Sequence, residues 1–206
     1  SGVSLTQVIT RDSRNHPEFP TSGSRSIWTS TFSGSFLGGN QDYHKHILDF
    51  NWFTPIQKKF TMSQIFKMGI LEKIDRTNGD RSVIPPSTQF IMGGTGIPYG
   101  EMLRGYTENR VGPFGSTRGG KVMIKYSLEF RLSLSENPTI YAFSFFDMGN
   151  IWSGFNTMDP FDLKRSAGVG VRVFIPMLGM LGYDIGYGFD TTDYDTYINN
   201  GTIEPH

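Results

Sequence analysis

The chain has 206 residues, 37% hydrophobic and 14% aromatic, with 25 Gly and no Cys, which excludes disulfides. Nineteen Lys and Arg against 19 Asp and Glu leave a formal net charge of zero, removing the broad positive field a nucleic-acid binder needs. No run approaches the ~18 apolar residues of a transmembrane helix, and 17 Phe, 9 Tyr and 3 Trp are too many for a solvated, disordered chain. What remains is one large domain built mostly of strands. A Gly-rich, aromatic and neutral composition suits a membrane β-barrel, whose lipid-facing apolar residues are diluted by a polar lumen.

In chain order, residues 5–11 and 25–33 read as strands, joined by a connection over 12–24. A loop over 34–43 leads to a third strand, where His46, Leu48, Phe50 and Trp52 alternate with Lys45, Asp49 and Asn51. After a turn near 55–59, Phe60, Met62, Phe66, Met68 and Ile70 alternate with Thr61, Ser63 and Lys67, while Gln64 and Ile65 interrupt the pattern. A segment of more than ~40 residues then runs to Gly120, a length that in a compact β domain points to function. It carries Gly93, Gly94, Gly96 and Gly100, then Met102-Leu103-Arg104-Gly105-Tyr106.

The cleanest alternation follows. Val122, Ile124, Tyr126, Leu128, Phe130, Leu132 and Leu134 share one face; Lys121, Met123, Lys125, Ser127, Glu129, Arg131 and Ser133 share the other. Charges in mid-strand mean that the second face is wet or carries its own polar network, and is no sandwich core. Residues 139–152 read as a sixth strand, its facing, like that of 5–11 and 25–33, left open by the sequence. In the last two, Val169, Val171 and Val173, then Tyr183, Ile185 and Tyr187, oppose glycines, and small residues on an inner wall let a plug approach closely. The count is eight strands. After the first, the connections alternate long and short, the sidedness of an outer-membrane barrel.

Gly93-Gly94 followed by Leu103-Arg104-Gly105-Tyr106 resembles the GG…[V/L/I]RG[F/Y] signature of the outer-membrane protein assembly factor family, the BamA family. Four further segments agree in order: Phe19-Pro20-Thr21-Ser22-Gly23-Ser24-Arg25, Tyr126-Ser127-Leu128-Glu129-Phe130, Phe145-Phe146-Asp147-Met148-Gly149-Asn150-Ile151-Trp152, and the arginine-bounded stretch from Arg165 to Arg172. The resemblance implies an all-β fold: a transmembrane antiparallel β-barrel of sixteen strands, of which about eight lie here, with a long extracellular loop folded into the lumen. By it, residues 1–206 are the C-terminal part of the barrel, and the periplasmic POTRA domains and the first and last strands lie outside this sequence.

Physical reasoning reaches the same residues. Glu129 and Asp147 sit on neighbouring strands, within reach of one another across an antiparallel pair. Two inward carboxylates need a cation, and a guanidinium offers a planar fork for one. Arg104 is therefore expected to re-enter the lumen and be clamped by Asp147, Glu129 or both, with Gly105 permitting close backbone approach and Leu103 and Tyr106 packing on the wall.

The implied function is folding and insertion of β-barrel proteins into the bacterial outer membrane, by strand-edge templating and local bilayer destabilisation. The implied partners are unfolded outer-membrane protein clients, accessory lipoproteins and the lipid bilayer, with no nucleic acid. Alternatives within the superfamily are a two-partner secretion or TamA-like transporter; a passive outer-membrane channel is a third. Glu129 and Asp147 as a glycosidase pair find no support elsewhere in the chain. His44 and His46 share a strand face without a third ligand, and the glycines lack the Gly-Lys-Ser/Thr and helix of a phosphate cradle. No enzyme activity, cofactor or metal is expected.

Overall fold

The protein is described by a computed structural model, which covers residues 3–34, 38, 41–74, 84–113 and 119–199. Parts of the long segment (75–83, 114–118) and the end of the chain (200–206) lie outside the described residues. The strands are β1 (Ser4–Asp12), β2 (Gly23–Ser33), β3 (Tyr43–Gln57), β4 (Phe60–Lys73), β5 (Val122–Glu136), β6 (Thr139–Trp152), β7 (Lys164–Ile175) and β8 (Gly179–Gly188). Each pairs antiparallel with the next in a single eight-stranded sheet ordered β1 to β8. Among the described residues β1 and β8 do not pair with each other, so the sheet is an open, curved wall.

The faces are inverted relative to a soluble protein. On β5 the polar residues Lys125, Ser127, Glu129 and Arg131 are buried, whereas Phe130 is 44% exposed and Leu134 55%. Along β7 and β8, Val169, Val171, Tyr183, Ile185 and Tyr187 likewise face outward. Such a wall is stable where the outside is hydrocarbon and the inside supplies partners for the polar groups. In register Trp52 and Tyr187 fall on one cross-strand row, and Tyr126 and Trp28 fall on the next two outward rows towards the long-loop rim.

The interruption expected at Gln64 and Ile65 is absent: Gln64 pairs with Leu128 and Ile65 with Ser127 in unbroken register. Gln64 faces outward and its Oε1 accepts a hydrogen bond from the Tyr126 hydroxyl at 3.0 Å, so a polar pair is satisfied on the lipid face. The register shifts lie instead at Pro55/Gln57 and Ser133/Ser135, beside the short turns.

Those short turns, 58–59, 137–138 and 176–178, define one rim, and the connection 13–22 joins them there. Lys58 and Lys59 form the first of the three. The longer connections, including the segment between β4 and β5, leave from the opposite rim. That segment folds back along the inner face. Phe90, Met92, Leu103 and Val111 from it pack against Tyr43, Leu71, Met123 and Ile151 of the wall, a core in the long-loop half of the lumen. A second cluster, Tyr141, Phe143 and Phe145 of β6, lies nearer the short turns and is capped by Phe19 of the first connection. Beyond β8, α1 (Asp193–Asn199) sits over the long-loop rim, the Tyr194 ring 3.6 Å from the Arg110 guanidinium.

Candidate functional site in the lumen

Antiparallel registers turn the inner wall into cross-strand rows. Ser127, Asp147, Ser166 and Gly188 form one row across β5 to β8. Glu129, Phe145, Gly168 and Gly186 form the next towards the short turns. Because side chains on one face recur every second residue, the alternation in β5 alone places Ser127 and Glu129 on adjacent rows.

The loop delivers Arg104 between these rows. Arg104 Nε donates to Asp147 Oδ2 at 2.7 Å and one Nη to Oδ1 at 2.8 Å, a two-point fork. The other Nη donates to Glu129 Oε1 at 2.7 Å. Ser127, directly opposite Asp147, receives a 3.1 Å bond from the guanidinium and donates its own hydroxyl to Asp147 Oδ1. The Phe145 ring closes the stack, its centre 3.7 Å from Arg104 Cζ. Arg104 is 6% exposed, Glu129 2% and Asp147 0%. A desolvated ion cluster is stable only where its charges are paired and hydrogen-bonded, and here each carboxylate oxygen of Asp147 and Glu129 has a donor. The second Glu129 oxygen accepts two bonds from Arg131, at 2.9 and 2.7 Å. Arg172 and Asp184 approach from β7 and β8, at 3.7 Å from Glu129 and 3.8 Å from Arg104. Three guanidinium groups thus face three carboxylates.

Gly105 follows Arg104 at φ +86°, and a Cβ there would stand 2.8 Å from the backbone nitrogen of Gly188. Glycine permits both the left-handed turn and the contact of loop with wall. Gly168 and Gly186 leave room for the Phe145 ring, whose Cζ would meet a Cβ at 2.5 and 2.9 Å respectively. Leu103 is fully buried in the upper core. Tyr106 packs beside that core and donates its hydroxyl to the Arg165 carbonyl at 2.7 Å, while accepting from the Asp190 backbone at 3.2 Å. Gly93 and Gly94, both at positive φ, lie against the signature segment itself: Gly94 bridges to Leu103, and a Cβ on Gly93 would collide with the Thr107 carbonyl oxygen.

The structure therefore brings Arg104, Glu129 and Asp147 together, with Leu103, Gly105 and Tyr106 around them and Gly93 and Gly94 alongside that segment. Sequence reasoning passed over Ser127, Phe145 and Arg131 as partners. Their signal was present: all lie two residues from a named acid, on the same face. The His44 and His46 rings lie 5.2 Å apart and tilted on the outer face of β3, and His46 Nδ1 is 2.8 Å from Ser30 Oγ. Among the described residues no group of three or more His, Cys, Asp or Glu is arranged to hold a metal.

A model of the Omp85 superfamily domain matches residues 2–202. The outer membrane protein assembly factor BamA of Nitratidesulfovibrio vulgaris is 27% identical over 189 residues, which are 88% of this chain and 22% of that protein. The chain thus spans about a fifth of the curated relative it matches. Its fold is that of BamA from Haemophilus ducreyi, solved without POTRA domains 1–3, with a TM-score of 0.75 at 17% identity over 92% of this chain and 39% of that one.

Proposed function

The chain belongs to the Omp85 superfamily, a family of the bacterial outer membrane, and from that premise we propose that it forms part of the barrel of an outer-membrane protein assembly machine. In this reading residues 1–206 are the C-terminal part of a sixteen-strand barrel, with POTRA domains preceding it in the periplasm and the first and last strands contributed by flanking sequence. The clients are unfolded β-barrel proteins, and accessory lipoproteins assist.

The observation that carries the proposal is the seated loop: a guanidinium forked onto Asp147 and bonded to Glu129 inside the lumen. A passive pore gains nothing from filling its channel with a buried ion cluster. A machine that must hold one wall rigid while its seam opens gains a strut. An incoming strand at an open sheet edge finds the backbone hydrogen bonds that hydrocarbon cannot supply, and a short apolar belt thins the bilayer beside it. The protein lowers a kinetic barrier and makes no covalent bond.

The test is client folding in vesicles containing the full-length protein, comparing wild type with Arg104→Ala. Accelerated folding by wild type, sharply reduced in the variant, supports the proposal. Ion conductance with no acceleration of client folding by wild type refutes it in favour of a channel.

A further inference from the structure

One row above the acids, towards the long-loop rim, the wall reverses its charge. Lys67 of β4 and Lys125 of β5 stand directly opposite each other in register. Like charges so placed repel, and without a counter-ion the arrangement is unfavourable. The loop supplies one. Glu101, three residues before Arg104, accepts a hydrogen bond from Lys67 Nζ. Lys125 lies within electrostatic reach of the same carboxylate and of Asp147, and Lys45 of β3 within reach of Glu101. Lys45 is also tied to the loop, donating to the Thr88 carbonyl at 2.7 Å with its Nζ 4.4 Å from the centre of the Phe90 ring. The inward acid nearest these lysines on β3, Asp49, is opposite Lys67 and accepts from Asn51 at 2.7 Å.

We propose that Glu101 is a second positioning residue of the lumenal loop, and that the Glu101/Lys67/Lys125 cluster and the Arg104/Asp147/Glu129 cluster together fix the loop's register by opposite charge. Neither clamp alone sets the loop's register by charge. Two clamps of opposite sign on adjacent rows admit one seating. A shift of the loop towards the long-loop rim carries Arg104 to Lys67 and Lys125; a shift the other way carries Glu101 to Asp147 and Glu129. Both meet like charge in a buried setting, where mispairing is most costly. Leu103 between the clamps faces the apolar core and supplies adhesion without direction.

This inference requires only that the loop is seated as described and is independent of the assembly role. It is tested in the full-length protein, with spin labels on cysteines introduced at Thr107 of the loop and Ser144 on the outer face of β6, by pulsed electron resonance distances. The wild-type charges give one narrow distribution. Glu101→Lys shifts or splits it, by up to roughly 10 Å for a three-residue slip of extended chain, and Glu101→Gln broadens it. Adding Lys67→Glu to Glu101→Lys restores a single narrow distribution. Heat-modifiable gel migration establishes that each variant is folded. A Glu101→Lys distribution coinciding with wild type, or a folded double variant that recovers nothing, overturns the proposal. Distances that respond as stated while client folding is indifferent to every loop variant would leave the register mechanism standing and remove the assembly role.

Discussion

Phe145 and Arg104 are stacked in the lumen, the guanidinium carbon 3.7 Å from the ring centre, with Asp147 two residues along the same strand holding the guanidinium edge. Ring and carboxylate thus approach the cation from different directions, the one limiting tilt and the other limiting rotation. Neither alone defines its plane.

Replacing Phe145 by Leu keeps an apolar side chain but removes the π face. A desolvated cation–π contact is worth about 2 kcal/mol, so unfolding of the full-length protein in denaturant is expected to shift by about 1–2 kcal/mol. The loop should also become more sensitive to trypsin at Arg104, which limited proteolysis reads directly. Unchanged stability and unchanged cleavage would show that the carboxylates alone hold the loop.

Asp147→Asn removes the charge opposite a buried guanidinium, and a stranded buried charge costs about 3–5 kcal/mol. Ser127→Ala removes a neutral hydroxyl that bonds both partners, worth about 1 kcal/mol. Because Ser127, Asp147 and Arg104 share bonds, the combined variant should cost less than the sum of the two. A double-mutant cycle by equilibrium unfolding measures the difference; strict additivity would mean that the serine acts outside the cluster.

The eight strands and the inward face of Glu129 were legible because both follow from period two, cleanest from Lys121 to Leu134. The facing of 139–152, and with it that of Asp147, is ambiguous in the sequence, so its pairing with Arg104 leaned also on the resemblance of the signature loop. The partners that were not legible depend on register, which no single strand encodes. Ser127 matters because it lies opposite Asp147, and Phe145 because it shares a row with Gly168 and Gly186. The Gln64–Ile65 interruption was misleading for a related reason. A glutamine on the lipid face looks like a defect until the Tyr126 hydroxyl on the next strand is seen to satisfy it.

Gly105→Ala puts a methyl group 2.8 Å from the Gly188 nitrogen in a backbone conformation at φ +86° that alanine disfavours. Strain of this kind costs about 1–3 kcal/mol. Relief requires the loop to lift from β8, which breaks the Tyr106 bond to the Arg165 carbonyl. Tyr106→Phe should reproduce part of the loss without the strain. Amide exchange of Gly188 and its neighbours in the full-length protein compares the two, and equal protection in Gly105→Ala and wild type would refute the close-approach argument.

Outside the strands, Asp190 receives Arg165 Nε at 3.0 Å and an Nη at 2.8 Å, and these bonds hold its carboxyl below the usual carboxylate range. A group whose folded pKa is depressed contributes stability above its unfolded value of about 3.9 and loses it as pH falls through the folded value. Docking of the segment after β8 is therefore expected to be constant from neutral pH to about 5 and to loosen below about 4. The contact is partly exposed, so the effect is small and screened by salt. Asp190→Asn should remove the acid-dependent part, which proteolysis of the segment across pH would reveal; the same pH profile in the variant would assign the loosening to another group.

At the opposite end of the lumen, Phe19 of the first connection lies 4.6 Å from the Tyr141 ring, the first member of a column that continues through Phe143 to Phe145 and Arg104. The connection is internally braced. The Asn15 side chain bonds Thr21 and Ser22, and His16 Nδ1 accepts from the Glu18 and Phe19 backbones. A braced loop presenting one aromatic behaves as a stopper, because the ring cannot leave without moving the whole connection. A cavity of about 270 Å³ between this connection and the turns at Lys58–Lys59 and Glu136–Thr139 leaves the stopper one apolar anchor on that side. Phe19→Ala should therefore raise ion conductance of the full-length protein in planar bilayers and cost about 2–3 kcal/mol in unfolding, as burial of an aromatic ring lost at a partly open site. Phe19→Leu should retain most of the closure. Conductance identical in all three proteins would mean that the lumen is sealed by the Arg104 loop alone, and that the column carries packing energy without controlling passage.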